Sequence, residues 1–155
     1  MNIFFVDSDP IISARQLCDK HIIKMSLETA QILSSVSWRY NIEAPYRRTH
    51  KNHPSVLWAG NTLPNWQWTI AHGLELCKEY SRRYGKIHKS ETVIKWCQDN
   101  GGRPVGGTFT IPPLCMPNQY KTSSYVDSYR EYYLGDKSRF AKWKNANIPI
   151  WFSNQ

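Results

Sequence analysis

The chain has 155 residues, of which 41% are hydrophobic, 14% aromatic and 21% charged. That length suits one ordinary domain and the aromatic content excludes a disordered chain, so we expect a single domain over residues 1–155. The 20 Lys and Arg residues against 12 Asp and Glu residues give a net charge of +8. This charge favours a polyanionic partner, of which nucleic acid is the first candidate. The alternative is a basic protein whose charge serves no such partner.

Targeting signals and cysteine spacing narrow the class further. No run of about 18 apolar residues occurs, and the first apolar segment reaches Asp7 before a secretory core could form. We therefore expect a cytoplasmic protein without a membrane span. The four cysteines form no Cys-x-x-Cys pair, which favours reduced, packed thiols over disulfides or a zinc site. We predict neither a metal nor a cofactor.

The first predicted helix follows an extended apolar segment, residues 2–6. Asp7-Ser8-Asp9-Pro10 supplies an N-cap carboxylate and a proline suited to a first helical turn. From Ile11 to about Trp38 no Gly or Pro occurs. This region is therefore one long helix, or two nearly collinear helices with a break near Cys18-Asp19.

Three further helices are predicted along the chain. One starts near Thr62, ends at Gly85 and has a charged outer face; a short one runs from Ser90 to Cys97; another is capped by Ser124 and ends at Gly135. The fold class is therefore mainly α, a compact single-domain helical fold with a short N-terminal extended segment. Two helices carry apolar stripes that predict core positions: Trp66, Ile70, Leu74, Cys77 and Tyr84 on the first, and Tyr125, Tyr129, Tyr132 and Tyr133 on the last, with Arg130 as a possible exception.

A long Gly/Pro-rich loop separates the last two predicted helices. Between Asp99 and Ser124 lie four of the eight glycines and four of the nine prolines, so this stretch is not helical. Gly106-Gly107 suggests a small hairpin. A loop of this length is either a functional lid or clamp, or irregular packing.

The first helix carries a narrow polar stripe. At about 100° per residue, the stripe is roughly 80° wide and contains His21, Lys24, Glu28, Gln31 and Ser35. The other directions are mostly apolar, so we expect this helix to cross the interior with the stripe facing a cleft or buried and hydrogen-bonded. An ordinary Lys24–Glu28 ion pair is the alternative. Apolar neighbours would perturb a carboxylate there, so we predict Glu28 as the catalytic group, with Lys24 and His21 positioning or tuning it.

Two basic segments could bind a phosphate backbone. In the first, aromatic residues (Trp38, Tyr40, Tyr46 and Trp58) interleave with the cations Arg39, Arg47, Arg48, His50, Lys51 and His53. Such a pattern suits phosphate neutralisation and stacking on an extruded base, although a solvated turn is the alternative. His53 could equally be structural. The second segment contains Arg82, Arg83, Lys86, His88 and Lys89, and the two together could straddle a duplex.

Several of these residues form a pattern that resembles a known family. Leu17-x-Asp19-x-His21 with Glu28 resembles the catalytic helix of the phage pyrimidine-dimer DNA glycosylases, the endonuclease V-like proteins. The wider pattern resembles a group of small phage proteins filed beside them; it comprises Cys18-Asp19-Lys20-His21, Lys24-Met25, Glu28, His50-Lys51-Asn52-His53-Pro54, Met116-Pro117-x-x-Tyr120-Lys121 and Tyr129-Arg130-x-Tyr132-Tyr133. The resemblance implies a small helical fold, excision of a damaged base from duplex DNA, and Glu28 as the essential carboxylate. It adds Lys121 to the expected nucleic-acid contacts.

The start of the chain departs from the family pattern. There, the nucleophile is the α-amine exposed when Met is removed ahead of a small residue. Here Asn2 follows Met1, so we expect Met1 to remain and the amine to be displaced by one residue. The abasic-site (AP) lyase step therefore stays open, although a carboxylate alone can support glycosidic cleavage. Lys24 is a second candidate amine if burial makes it nucleophilic.

These observations predict a DNA N-glycosylase, a hydrolase that removes a damaged or modified pyrimidine from duplex DNA. We expect a monomer, acting in the cytoplasm of an infected bacterial host if the chain is phage-encoded. The alternative is a non-catalytic protein that binds a nucleotide, a modified base or a host factor in the same cleft.

Overall fold

The structure is a computed structural model that describes residues 1–154, and its architecture is mainly α, as predicted. No β-strand occurs within this range. A 3-10 turn spans Asn118–Tyr120 and a π-helical turn spans Tyr133–Lys137. The α-helices are α1 (Pro10–Arg15), α2 (Asp19–Arg39), α3 (Pro54–Ala59), α4 (Leu63–Tyr84), α5 (Glu91–Asn100), α6 (Tyr125–Tyr132) and α7 (Ile150–Ser153).

The first predicted helix is two helices, broken at residues 16–18. The Asp9 side chain caps α1 by accepting the N–H groups of Ile11 and Ile12. Cys18 has an extended backbone and precedes α2, and its N–H donates to the Tyr133 hydroxyl at 3.1 Å. The break therefore lies where the sequence predicted it.

The predicted limits of α4 are also confirmed. The Thr62 hydroxyl accepts the N–H of Asn65, and Gly85 ends the helix in a left-handed conformation, φ 65°. Its outer face, however, is not uniformly charged and exposed, because Glu75, Glu79 and Arg83 are buried. That prediction was wrong for these three side chains.

The later elements differ more from expectation. Ser90 precedes α5 without a side-chain capping bond, and α5 extends to Asn100. Ser124 does cap α6, but the chain passes from Tyr132 into the π-helical turn, so Gly135 does not end a helix. The short helices α3 and α7 were not predicted.

The predicted hairpin at Gly106-Gly107 is wrong. Both glycines have positive φ, 73° and 89°, and the Gly106 carbonyl accepts the N–H of Leu63 at 2.9 Å. A Cβ at Gly107 would come within 2.9 Å of Thr62. The two glycines form a turn that packs on the start of α4, which leaves no partner strand.

The core lies where α4 packs against α1, α2 and α5. The extended segment runs through it, with Ile3, Phe4, Phe5 and Val6 all nearly inaccessible. Tyr129 and Tyr133 are buried as predicted, whereas Tyr125 and Tyr132 are half-buried. This threading places the first residues of the chain beside α2.

Helix α2 is not buried on all sides, although the sequence led us to expect that it would be. Ile23 and Leu27 are 45% and 41% exposed, although they were expected to be covered. Ile22, Met25 and Leu33 on the opposite side are buried. One face of α2 therefore reaches the surface, and the polar stripe lies near that face. In the part of the chain described, no helix combines the length and the apolarity that a membrane span requires.

Candidate active site

A recess of about 280 Å³ lies beside α2, and it contains all three predicted catalytic residues. Two larger recesses, of about 870 and 540 Å³, flank α4 and contain none of them. We consider the smaller recess the candidate site, because polar groups from distant parts of the chain converge there. Its lining comprises Met1, Asn2, Phe4, His21, Lys24, Met25, Glu28, His53, Cys115, Tyr132 and Lys137.

Glu28 lies at the centre of this recess and is only 8% exposed. Its Oε2 accepts the backbone N–H of Asn2 at 2.9 Å and lies 3.8 Å from the α-amine of Met1. Its Oε1 lies 3.6 Å from Nζ of Lys24. The carboxylate is therefore held between two amines, and it can accept a proton from either.

The start of the chain is fixed firmly in the recess. The Asn2 side-chain amide donates to the Cys115 carbonyl at 3.0 Å, and its oxygen accepts the N–H of Ile3 at 2.8 Å. The Met1 side chain is 2% exposed. Sequence reasoning missed Asn2 as a positioning residue, because its partner Cys115 lies more than a hundred residues away.

His21 is buried and uncharged. Burial, together with the ammonium groups of Lys137 and Lys24, lowers the pKa of His21 to about 3. Its Nδ1 shares a hydrogen bond of 2.6 Å with the Tyr133 hydroxyl, whose own pKa is raised by burial. The same hydroxyl accepts the Cys18 N–H at 3.1 Å and donates to the Cys18 Sγ at 3.5 Å. The ring stacks on Phe4, with centroids 4.3 Å apart. His21 therefore forms part of the wall of the recess and adds no charge to it.

His53 makes a structural hydrogen bond and also lines the recess. Its Nδ1 accepts the N–H of Ser55 at 3.1 Å and thereby caps α3, while the ring lines the recess. Burial lowers its pKa, helped by the chain's α-amine and by His50 and opposed by Glu28. The neutral ring therefore offers its Nε2–H as a hydrogen-bond donor.

The two lysines of the recess differ in exposure. The side chain of Lys24 is 66% exposed, so the burial that would have made it nucleophilic is absent. Lys137 is 16% exposed, pairs with Asp136 at 2.8 Å, and lies 4.5 Å from the centre of the Tyr132 ring. The π-helical turn carries Lys137 to the recess, and no motif in the sequence indicated this residue.

The polar stripe of α2 divides at its middle. His21, Lys24 and Glu28 line the recess, but Ser35 is buried and exchanges hydrogen bonds of 2.7 and 3.0 Å with the Thr49 backbone. Gln31 is half-buried and is not part of the lining. The cleft therefore covers only the first half of the stripe.

The first basic segment is largely free to contact phosphates. Arg47, Arg48, His50 and Lys51 are exposed, and no ion pair to them occurs within residues 1–154. This segment leads directly to His53 and so to the recess. Lys121 is also exposed, and its charge acts on the thiol of Cys115, which lines the recess.

The aromatic rings of that segment are not available for stacking as predicted. Trp58 is 6% exposed, and the other three are half-buried. Each ring also holds the backbone or a side chain through a hydrogen bond: Trp38 to the Tyr46 carbonyl, Tyr40 to the Gly60 carbonyl, Tyr46 to Ser90 and Trp58 to the Thr110 carbonyl. Their role is to fix the loops.

The second basic segment corrects another prediction. Arg83 has no exposed side-chain surface; it contacts Glu79 at 2.9 Å and Asp19 at 3.1 Å, and donates to the carbonyls of Leu17 and Arg15. It is therefore not a phosphate contact. Arg82 is 52% exposed, but its guanidinium is bound to Glu79 and to the Asn145 carbonyl.

All four cysteines are free thiols, and burial raises the pKa of Cys77 to about 12 and of Cys97 to about 11. Within residues 1–154, no cluster of three or more His, Cys, Asp or Glu side chains is arranged to hold a metal ion.

A family model described as pyrimidine dimer DNA glycosylase matches residues 1–92. The matched range contains Glu28, His21, Lys24 and His53, whereas the opposite wall of the recess, with Cys115 and Lys137, lies beyond it. Comparison with curated proteins gave no match, and comparison with solved structures gave none either.

Proposed function

Because the chain belongs to the pyrimidine dimer DNA glycosylase family, we propose that it excises a dimerised or otherwise damaged pyrimidine from duplex DNA, with Glu28 as the essential carboxylate. One observation carries this proposal: a nearly buried carboxylate lies 3.8 Å from the first amine of the chain, inside a recess. Neither group alone is unusual, but together they form a nucleophile and an adjacent proton acceptor. We also propose that it acts as a monomer in the cytoplasm, that of an infected bacterial host if the chain is phage-encoded.

The α-amine is the nucleophile in this proposal. Its lone pair forms a bond to C1′ of the damaged nucleotide, the glycosidic bond breaks, and its electron pair leaves with the base. The departing base takes a proton from water, and the proton released by the amine passes to Glu28. Glu28 then returns that proton to O4′ as the C1′–O4′ bond breaks, which opens the sugar ring and gives a Schiff base between C1′ and the amine. Loss of a proton from C2′ of this Schiff base breaks the C3′–O bond and releases the 3′ phosphate, which is the lyase step.

In the family pattern the amine belongs to the residue after Met, whereas here we expect Met1 to remain. The Met1 amine and the backbone nitrogen of Asn2 both lie close to Glu28, so a retained Met1 still presents an amine to the site.

Direct hydrolysis is the second route that the site could support. In that case Glu28 would activate water and no covalent adduct would form. Lys24 could also supply the amine, since its Nζ lies 3.6 Å from Glu28, but its exposure gives it no special reactivity. The neutral ring of His53 would donate a hydrogen bond from Nε2 to the sugar or the departing base in each case, while the His21 ring lines the recess.

The test uses an oligonucleotide duplex with a single pyrimidine dimer, followed by base release, strand scission and borohydride trapping. We expect wild-type protein to release the base and to form a trapped adduct that peptide mapping places at the α-amine. Glu28→Gln should slow excision by about 10²- to 10⁴-fold. Glu131→Gln, at an exposed glutamate on α6, is the matched control.

Each alternative gives a different result. An adduct on Lys24 would replace the proposed nucleophile, and base release without an adduct would support hydrolysis. If neither ultraviolet-damaged nor base-modified duplex loses a base, and Glu28→Gln behaves as wild type, the enzyme proposal is wrong. A binding protein with a small ligand in the recess would then be favoured, and calorimetry with nucleotides and modified bases would test it.

A further inference from the structure

The Gly/Pro-rich loop exposes apolar side chains while its backbone is firmly held. Val105 and Ile111 are 98% and 81% exposed, and Phe109 is 40% exposed. Single exposed apolar residues are ordinary on protein surfaces. Three within seven residues of one loop, on a protein of net charge +8, require a more specific explanation.

Hydrogen bonds hold this loop at two points between the exposed side chains. Gly106 is bound to Leu63 at the start of α4. At Thr110, the carbonyl accepts Nε1–H of Trp58, and the Asn65 amide bonds both the Thr110 backbone N–H and its hydroxyl, at 3.0 and 2.8 Å. The Phe109 ring packs edge-on against Trp58, with centroids 5.6 Å apart. The loop is therefore preformed, and inserting its side chains elsewhere would need little ordering of the backbone.

The loop also lies close to the recess. Ile111 lies four positions before Cys115, which lines the recess, so their Cα atoms are at most about 14 Å apart. That distance corresponds to about four steps of a DNA strand at 3.4 Å per step. Helix α3 joins the loop to the first basic segment, because it begins at His53 and carries Trp58.

We propose that residues 105–111 form a wedge that enters the base stack of duplex DNA beside the damaged nucleotide, with Val105 and Ile111 as the inserting side chains. Proteins that kink DNA insert apolar side chains between base steps, and base excision needs a nucleotide removed from its stack. The exposed cations Arg47, Arg48 and Lys51 hold the phosphates while the wedge separates the bases. This inference rests on the proposed function, since it takes duplex DNA as the partner.

The wedge is tested by separating base unstacking from chemistry. The double variant Val105→Ser/Ile111→Ser is compared with Ile148→Ser/Ile150→Ser, which alters two exposed isoleucines at the opposite recess near α7. Each protein acts on a dimer in a fully paired duplex and on the same dimer in an unpaired bubble. The wedge variant should lose at least about tenfold in excision from the paired duplex and should match wild type on the bubble, where no stack must be opened. The control variant should match wild type on both.

Binding is read separately with 2-aminopurine beside the lesion and Glu28→Gln as the background, so that no chemistry occurs. Fluorescence should rise with Glu28→Gln and should stay low when the wedge substitutions are added. Unstacking without excision by wild type would overturn the proposed function and leave the wedge in place. Three results would overturn the wedge. The wedge variant could excise at the wild-type rate, or it could lose equally on both substrates. The wild-type protein could also prove to be a homodimer that the substitutions convert to monomers.

Discussion

The two basic segments look alike in the sequence, but in the part of the chain that the structure describes the arginines of the second form ion pairs with carboxylates of the protein and those of the first do not. Residues 47–53 form an irregular connection before α3, where Arg47, Arg48 and Lys51 are exposed. Residues 82–89 begin in the last turn of α4, where Arg82 and Arg83 lie within reach of Glu79. A cluster of cations is available to a polyanion only where the fold supplies no carboxylate of its own, and spacing along the chain does not show this.

Arg83 illustrates the difference most clearly. Its guanidinium binds Glu79 on its own helix, Asp19 at the start of α2, and the carbonyls of Leu17 and Arg15 at the break between α1 and α2. It therefore holds the corner from which α2 begins, and with it the helix that carries Glu28.

The largest effect is expected from Arg83→Met. Without the guanidinium, Glu79 loses one of its cationic partners and keeps Arg82, and the carbonyls of Leu17 and Arg15 lose a buried donor, so the free energy of unfolding should fall by about 3 kcal/mol. Urea denaturation followed by circular dichroism measures this change. Arg47→Met should leave the midpoint unchanged. A stable Arg83→Met protein with weakened duplex binding would reverse our assignment of this residue.

Replacement of the exposed cations should weaken DNA binding and leave the stability of the protein unchanged. Arg47→Gln/Arg48→Gln/Lys51→Gln should weaken duplex binding and reduce the slope of log affinity against log salt by about 2.7, or about 0.9 per phosphate contact. The unfolding midpoint should not move. Anisotropy titrations at several salt concentrations give the slope, and an unchanged slope would show that this segment does not contact phosphates.

Burial of neutral histidines should make stability depend on pH. The folded pKa values of His21 and His72 are about 3 and about 4, below the ordinary histidine value of about 6.5, so near and below that pH the unfolded chain binds more protons than the folded protein. Stability should therefore decline as the pH falls from about 6.5 toward 4, by about 1.4 kcal/mol per unit for each histidine. Thermal melts from pH 7 to 4.5 measure the slope, and His72→Phe should make it shallower by one histidine's share. An equal slope in both proteins would contradict this account.

The smallest effect is expected from Arg82→Gln. The side chain is half exposed, and such ion pairs contribute at most about 1 kcal/mol. The unfolding free energy should change by less than that amount, and duplex affinity should change little because Glu79 already occupies the guanidinium. A loss of affinity comparable to that of the triple variant would restore Arg82 to the phosphate-binding surface.

Local signals in the sequence predicted the main helices well. Thr62 and Gly85 mark the ends of α4 because a capping hydroxyl and a left-handed glycine act within one turn. The helix α3 has only six residues, too few to show a period, and the π-helical turn at Tyr133–Lys137 has no sequence signature. These elements depend on packing.

The candidate site divides in the same way. The spacing of His21, Lys24 and Glu28 on one helix face predicted their convergence, because helical geometry alone sets it. The approach of Lys137 and Cys115 depends on contacts more than eighty residues along the chain, and the burial of Arg83 depends on contacts more than sixty residues along it. The sequence therefore predicted one wall of the recess, on α2, and missed the side chains that come from the second half of the chain.

The position of the first residue has a practical consequence for anyone who prepares this protein. The Met1 side chain is almost inaccessible and the amine lies 3.8 Å from Glu28, so a purification tag or fusion partner joined ahead of Met1 would start inside the recess. It would also convert the free amine to an amide and abolish its nucleophilicity. A recombinant preparation should therefore carry a free amine at Met1 before any assay is judged negative.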